Sequence, residues 1–335
     1  MVPVKHEAIC SDLRAKIVNL GSLCFDRVYH VPALVQSGQT LRASSTALFP
    51  GGKGLNQSLA ARRAGARVHH VGCVGHDGEE LRAVLFDAGV NVDGLRTQAD
   101  LTTAHAVIQL TPQGENAIVI VGGSNFSIQS TDVDCALDAL VPGDWLLLQN
   151  ELNDLAEVLE QAHLRGAHIC MNLAPYSETA DAYALQHAHM LIVNETEAAG
   201  LTRCTEPEDA LLQLRKRCPD STVVLTLGEF GLLYDAGAGL QRMSAYTIQA
   251  VDGTAAGDAF IGYLLARLQQ GDDLPLALRM GSAVGALAAS RAGAATSIPE
   301  LHDVQRLVDG SRSTQGTSSR RWHPDLSAPG LRSTP

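Results

Sequence analysis

Positive charge is what this chain most lacks: 25 Lys and Arg stand against 36 Asp and Glu, a formal net charge of -11. A surface of that sign repels phosphodiester backbones and acidic headgroups, which argues against a general nucleic-acid or anionic-membrane binder. Aromatic residues are scarce as well, at 4%. The core that 335 residues can bury must therefore be built from aliphatic side chains and alanine, as one large α/β domain or two modest ones. No apolar run approaches the ~20 residues of a membrane helix, and the stretch from Met1 to Glu7 lacks a signal-peptide core, so a cytoplasmic protein is expected.

Other absences concern chemistry. The seven cysteines never fall as Cys-x-x-Cys, and reduced thiols in or near a core suit a reducing compartment. His69-His70 and His187-Ala188-His189 have no cysteine beside them, and no structural metal is expected there. Pro50-Gly51-Gly52-Lys53-Gly54-Leu55-Asn56-Gln57 looks like a P-loop at first glance. Gly54 follows the lysine instead of Ser or Thr, and Ala47 stands where the first glycine should be. No Gly-x-Gly-x-x-Gly occurs there either, so a Rossmann dinucleotide site is excluded as well.

What is present centres on Val251 to Phe260, Val-Asp-Gly-Thr-Ala-Ala-Gly-Asp-Ala-Phe. The apolar residues that follow recur at helical spacing, so these small residues sit at a helix entrance. Unpaired N–H groups and the positive dipole end there suit an anion such as a phosphoryl group in transfer. Taken alone, Asp258 is most often an acid that merely complements the dipole. Its glycine-rich surroundings, costly inside a helix at roughly 1 kcal/mol per glycine, fit a ligand entrance better than a cap.

The remaining pattern is α/β. A β-type run over Lys16 to Leu23 ends near Gly21-Ser22, and Asp26 just past it is a candidate for gripping sugar hydroxyls. Residues 27–50 read as short strands, and Ser58 to Ala64 as a helix opened by the glycine-lysine run. Arg67 to Gly75 is a strand and Glu79 to Ala88 a helix. Thr103 to Leu110 and Glu115 to Val121 form a hairpin that, with residues 27–50, makes a small sheet over the site. From Trp145 onward, strands alternate with helices, which implies a parallel sheet with helices on both faces. Polar groups gather where the strands end, at Asn150-Glu151, Asn172, Asn194 to Glu197 and Thr226 to Gly231. An acid at Glu197 is usually a capping residue, and the sparse acidic site is also compatible with Mg²⁺ held mainly by substrate phosphates. Leu274 to Ala292 is a helix rich in Ala and Gly, and residues 310–335 read as a flexible tail.

These residues resemble ribokinase-family (PfkB-type) carbohydrate kinases over roughly residues 16–308, through two separated signatures in the right order. The first is Gly51-Gly52-Lys53-Gly54 with Asn56 and Gly72 to Asp77; the second is Asp252 to Phe260; Asn194-Glu195-Thr196-Glu197 adds a motif linked there to Mg²⁺ and phosphate. The resemblance implies a three-layer α/β/α fold with a mostly parallel sheet and a small β-sheet lid (24–50 and 101–122). It implies ATP-dependent phosphorylation of a sugar, with the 5-hydroxyl of D-ribose as the leading expectation. Deoxyribose or a nucleoside such as adenosine or pseudouridine are alternatives, and a non-catalytic sugar-binding regulator is the rival of another class. Carried over by position, Asp258 is the catalytic base, and Ala255, Ala256 and Gly257 form an anion hole. Asp26, Gly52, Lys53, Asn56 and Glu151 hold the sugar. Asn194, Thr226, Leu227, Gly228, Glu229, Phe230, Gly231, Gly257 and Ser282 bind the nucleotide, with Glu197 acting on Mg²⁺ through water. Asp252, Thr254, Ala288, Arg291, Gly293 and Ser297 match a potassium site. A homodimer through the lid is expected. Two departures stand out: Cys24 where the family usually has Asn, and Gly253 where Thr or Ile is usual. The first removes an amide from the sugar site and bears on substrate choice.

Overall fold

Runs such as Trp145–Gln149 offer no polar face to water, so they are stable as strands only when covered on both sides. The structure, a computed structural model, describes residues 16–312, and its buried apolar runs such as this one join one nine-stranded sheet. The chain starts with β1 (Lys16–Leu20), β2 (Cys24–His30), β3 (Ser45–Gly51), α1 (Lys53–Arg63), β4 (Arg67–Gly75), α2 (Glu79–Asp87) and β5 (Asn91–Gln98). Next come β6 (His105–Leu110), β7 (Asn116–Val121), α3 (Ser130–Asp138), β8 (Trp145–Gln149), α4 (Leu155–Leu164), β9 (His168–Asn172) and β10 (Met190–Asn194). The last third holds α5 (Glu195–Thr202), α6 (Pro207–Arg217), β11 (Thr222–Thr226), β12 (Leu232–Asp235), β13 (Gln241–Met243), α7 (Ala256–Gln269), α8 (Leu274–Ala289) and α9 (Leu301–Arg312).

The large sheet has the order β13-β12-β11-β10-β9-β8-β1-β4-β5. It is parallel from β11 to β5, with β12 and β13 added antiparallel at one edge. Successive strand residues serve opposite layers: Ile17 and Leu147 pack under α1, α2, α7, α8 and α9, while Val18, Leu146 and Leu148 pack under α3, α4, α5 and α6. This is the expected three-layer α/β/α arrangement. The lid is a separate sheet of order β3-β2-β6-β7, joined to the body where Thr103 N, just before β6, donates to Asp77 Oδ1 at 2.7 Å.

Several boundaries differ from expectation, each for a local reason. Helix α1 begins at Lys53, five residues before the expected Ser58, because Gly52 adopts a φ of 95° and turns the chain straight into it. Helix α8 stops at Ala289 instead of Ala292: the Ala289 carbonyl accepts from Val251 N and Asp252 N, which ties the helix end to the loop before α7. Helix α9 runs through Gly310 to Arg312, and the rest of the expected tail lies outside the described residues.

The contact that sets the layout on one face is between α1 and α7. A Cβ added at Gly262 would lie 2.5 Å from Ala60 Cβ and 2.6 Å from the Gln57 carbonyl oxygen. Only a glycine permits that approach, and Gly262 sits one turn after Asp258. Gly262→Ala should therefore force the helices apart at a cost of roughly 1–3 kcal/mol. Thermal melting should show a clear drop together with reduced turnover; an unchanged melting temperature would mean the contact is slack.

Candidate active site

The site forms where α/β sheets present ligands, beyond the carboxyl ends of β1, β8, β9, β10 and β11. Two cavities meet there. One of about 530 Å³ lies beneath the lid, lined by Cys24, Asp26, Gly52, Lys53, Asn56, Glu151, Asn194, Glu197, Ala255 and Asp258, among others. The other, of about 470 Å³, opens between the β11–β12 turn and α8 and includes Gly228, Glu229, Gly231, Ala256 and Ser282. Thr226, Gly253, Gly257 and Phe260 line both, so the two cavities join at the amino end of α7.

The floor of the first cavity is held by the turn between β1 and β2. Ser22 Oγ donates to Glu151 Oε2 and accepts from Gly54 N at 3.1 Å, while Lys53 N donates to Glu151 Oε2 at 3.2 Å. Three carboxylates, Asp258, Glu151 and Glu197, thus act on one lysine, and Asp26 lines the same cavity beside Glu151. Asp258 foremost pushes the Lys53 pKa up against the effect of burial, with Glu151 and Glu197 adding to it. Burial raises Glu151 and Glu197 above the usual carboxylate range. Burial, then the neighbouring Glu151, lifts Asp26 to about 6, and burial with Asp26 pushes the Cys24 thiol up to about 12. Cys24 is thus a neutral thiol on the wall of the first cavity.

Asp258 is 7% exposed and receives two amides, Asn56 Nδ2 on Oδ2 at 3.1 Å and Gln57 Nε2 on Oδ1 at 2.9 Å. It stands in the first turn of α7, which Ala255 enters with a left-handed φ of 60°. Ala259 N makes the first intrahelical bond, to the Ala255 carbonyl at 2.8 Å, and Ala256 N donates to the Gly253 carbonyl at 3.2 Å. The N–H groups of Gly257 and Asp258 are left without an intrahelical acceptor, as in any first turn.

Around the second cavity the expected residues divide. Thr226, Gly228, Glu229, Gly231 and Ser282 line it; Asn194 and Glu197 belong to the first cavity; Leu227 is 3% exposed in the core, and Phe230 is 51% exposed and lines neither. Asn194 and Glu197 form a reciprocal capping box: Glu197 N donates to Asn194 Oδ1, and Asn194 N to Glu197 Oε2, each at 2.9 Å. Tyr246, Thr247, Ile248, Gly285 and Ala289 complete the walls and were not legible as site residues. The glycine spacing on α8 was the available signal, since Gly281 and Gly285 let it approach Phe260 and the Ala256 carbonyl.

The loop before α7 and the segment after α8 are tied through Asp252. Its Oδ1 accepts from Thr254 N at 2.9 Å and Thr254 Oγ1 at 2.6 Å, and its Oδ2 from Gly293 N at 3.0 Å. Burial works against ionisation here, but these hydrogen bonds prevail and draw its pKa below the usual range. Arg291 N donates to the Ala288 carbonyl at 3.0 Å, and buried Ser297 donates its hydroxyl to the Ala294 carbonyl at 2.8 Å. A carboxylate and a hydroxyl in this loop, with carbonyls in the segment tied to it, are oxygen donors of the kind a monovalent cation takes.

Asp26 offers a test of this charge crowding. Its folded pKa lies above the unfolded value of ~4, so the folded state binds the extra proton. The resulting destabilisation is absent below pH ~4, grows up to about 6, and is full above it. Asp26→Asn should raise the melting temperature at pH 7.5 by roughly 5 °C while weakening sugar binding, and the gain should shrink toward pH 4. A variant that is no more stable at pH 7.5 would contradict this electrostatic picture.

Comparison with known proteins agrees with the geometry. Residues 14–301 match the pfkB family carbohydrate kinase profile. The chain is 30% identical over 305 residues to a ribokinase of Haemophilus influenzae, covering 89% of this chain and 99% of that one. It is 33% identical to a ribokinase of Schizosaccharomyces pombe, covering 88% and 97%. The structure of Arabidopsis thaliana ribokinase complexed with ribose and ATP superposes with a TM-score of 0.79 at 27% identity, covering 88% of this chain and 99% of that one. With a catalytic-type acid at a helix entrance between two joined cavities, and a family match that spans most of its length, the chain belongs to the pfkB family of carbohydrate kinases.

Proposed function

We propose that this kinase transfers the γ-phosphoryl group of ATP to the 5-hydroxyl of D-ribose. As a family member it is a phosphotransferase with an alcohol acceptor. The observation that carries the reading is Asp258, ionisable and nearly buried, at the one helix entrance that both cavities share. Likeness to ribokinases over most of the chain supports ribose as the acceptor.

In this reading Asp26, Lys53, Asn56 and Glu151 hold the sugar under the lid, with Gly52 allowing close approach. Asp258 accepts the hydroxyl proton as the new bond to phosphorus forms. The second cavity takes the nucleotide, its base against Tyr246, Ile248 and Ala286 and its phosphates toward Gly253 to Gly257. N–H groups of Ala255, Ala256 and Gly257 would receive the transferred group, Ala256 sharing its N–H with the Gly253 carbonyl. Glu197, buried and held by Asn194, would keep Mg²⁺ near the phosphates through water. Asp252, Thr254 and Ser297, with carbonyls of Ala288 and Arg291 and the Gly293 turn, would hold K⁺. Both cations supply charge neutralisation for the phosphates and the α7 entrance. The six unpaired cysteines among the described residues suit the cytoplasm.

A second reading, a nucleoside acceptor, is favoured by the apolar wall of Ile120, Phe126, Pro175 and Ile192 in the first cavity and by the thiol of Cys24 in place of an amide. A panel of ribose, deoxyribose and nucleosides with Mg–ATP, run in potassium and in sodium, decides between them. Ribose is expected to turn over fastest, with higher rates in potassium. Strong nucleoside turnover with little on ribose would sink the ribose assignment, and equal rates in the two salts would remove the cation site.

The lid supports a homodimer. Phe49, Ile118 and Ile120 share its site-facing side by register and are 41%, 52% and 66% exposed. An apolar sheet face of that kind is normally covered. Ile118→Lys should convert a dimer to a monomer in sedimentation; a monomeric wild type would overturn the assembly.

A further inference from the structure

Asp258 is gripped by two consecutive amides of α1, but they differ in position. Asn56 lines the sugar cavity, whereas Gln57 lines neither cavity and is fully buried. An amide can present either its nitrogen or its oxygen, so something must settle which end of Gln57 meets the carboxylate. A chain of buried side chains does so. Asn19 Nδ2 donates to the Gly54 carbonyl at 2.8 Å, a group that only accepts, which turns Asn19 Oδ1 toward Gln149. Gln149 Nε2 donates at 2.9 Å to both Asn19 Oδ1 and Gln57 Oε1. With its oxygen so engaged, Gln57 directs Nε2 at Asp258 Oδ1 at 2.9 Å and at Asn172 Oδ1 at 3.0 Å. Asn172 is oriented in turn by its own Nδ2, which donates to the Ile192 carbonyl at 3.3 Å.

We infer that Gln57 is a positioning residue for the base, its donor end locked by Asn19 and Gln149 so that it fixes the Asp258 carboxylate and leaves Oδ2 on the sugar side. The alternative orientation would set an amide oxygen against a buried carboxylate, which the locked chain forbids. Without the Oδ1 bond the carboxylate can rotate, and a base that spends little time in line loses rate even though the sugar still binds. The same bonds also tie α1 to the sheet, so a purely structural role must be separated from positioning.

The inference rests on Asp258 being the base, and the test separates the two. In Gln57→Met, turnover should fall about 30-fold while KM for ribose and ATP stays within about 3-fold. In the Asp258→Asn background, where residual turnover is down by roughly 10³-fold, adding Gln57→Met should change nothing more. Gln149→Met, which touches neither Asp258 nor a cavity, should show the same pattern at smaller size, and serves if Gln57→Met fails to fold. A loss of the same factor with and without Asp258, or unchanged turnover in folded Gln57→Met, would overturn the inference. Full activity of Asp258→Asn would instead overturn the assignment of the base.

Discussion

The close crossing of α1 and α7 is the constraint on which the rest of the site depends. Gly262 has no side chain, so the Gln57 carbonyl and Ala60 come within van der Waals reach of α7. One turn earlier on α7, Asp258 then falls beside Asn56 and Gln57. The glycine turn at Gly52 starts α1 early enough for both amides to stand in its first two turns. On the other side of α7, Gly281 and Gly285 bring α8 near enough for the second cavity to share its wall with the first. Small residues on three helices therefore set the distance between the two substrates.

That compactness has an electrostatic consequence. Glu151, Glu197 and Asp258 crowd around Lys53, Asp26 stands beside Glu151, and burial raises Asp26, Glu151 and Glu197 above the ordinary range. A site with more buried acids than bases suits a ligand rich in hydroxyl donors, such as a sugar. In the proposed reading, the same excess of negative charge is what metal cations and the N–H groups at the start of α7 would offset when a triphosphate enters.

Much of this was legible in the sequence because it was written in short, local signals. The alternation of apolar runs and helices predicted the parallel sheet, and the small residues at Val251 to Phe260 predicted the entrance of α7. Helices α3 and α9 and strands β5, β12 and β13 were not read. In β5, Asn91–Gln98, only Val92 and Leu95 are buried in an edge strand with a register irregularity, so no clean period of two appears. The spacing of Asn194 and Glu197 was legible as a cap, which is the geometry seen, while the spacing was only compatible with Mg²⁺ and the specific link to it came from resemblance. Gln57, Asn19 and Gln149 were invisible as a unit: they are distant in sequence, and only the packing of β1, β8 and α1 brings their amides together.

The most direct measurement is a crystal structure with ribose and a non-hydrolysable ATP analogue bound together. The account predicts the sugar's 5-hydroxyl about 3 Å from Asp258 Oδ2, with the γ-phosphate lying between it and the N–H groups at the start of α7. A ribose whose 5-hydroxyl points away from Asp258, or a nucleotide seated outside the cavity between β11 and α8, would contradict it.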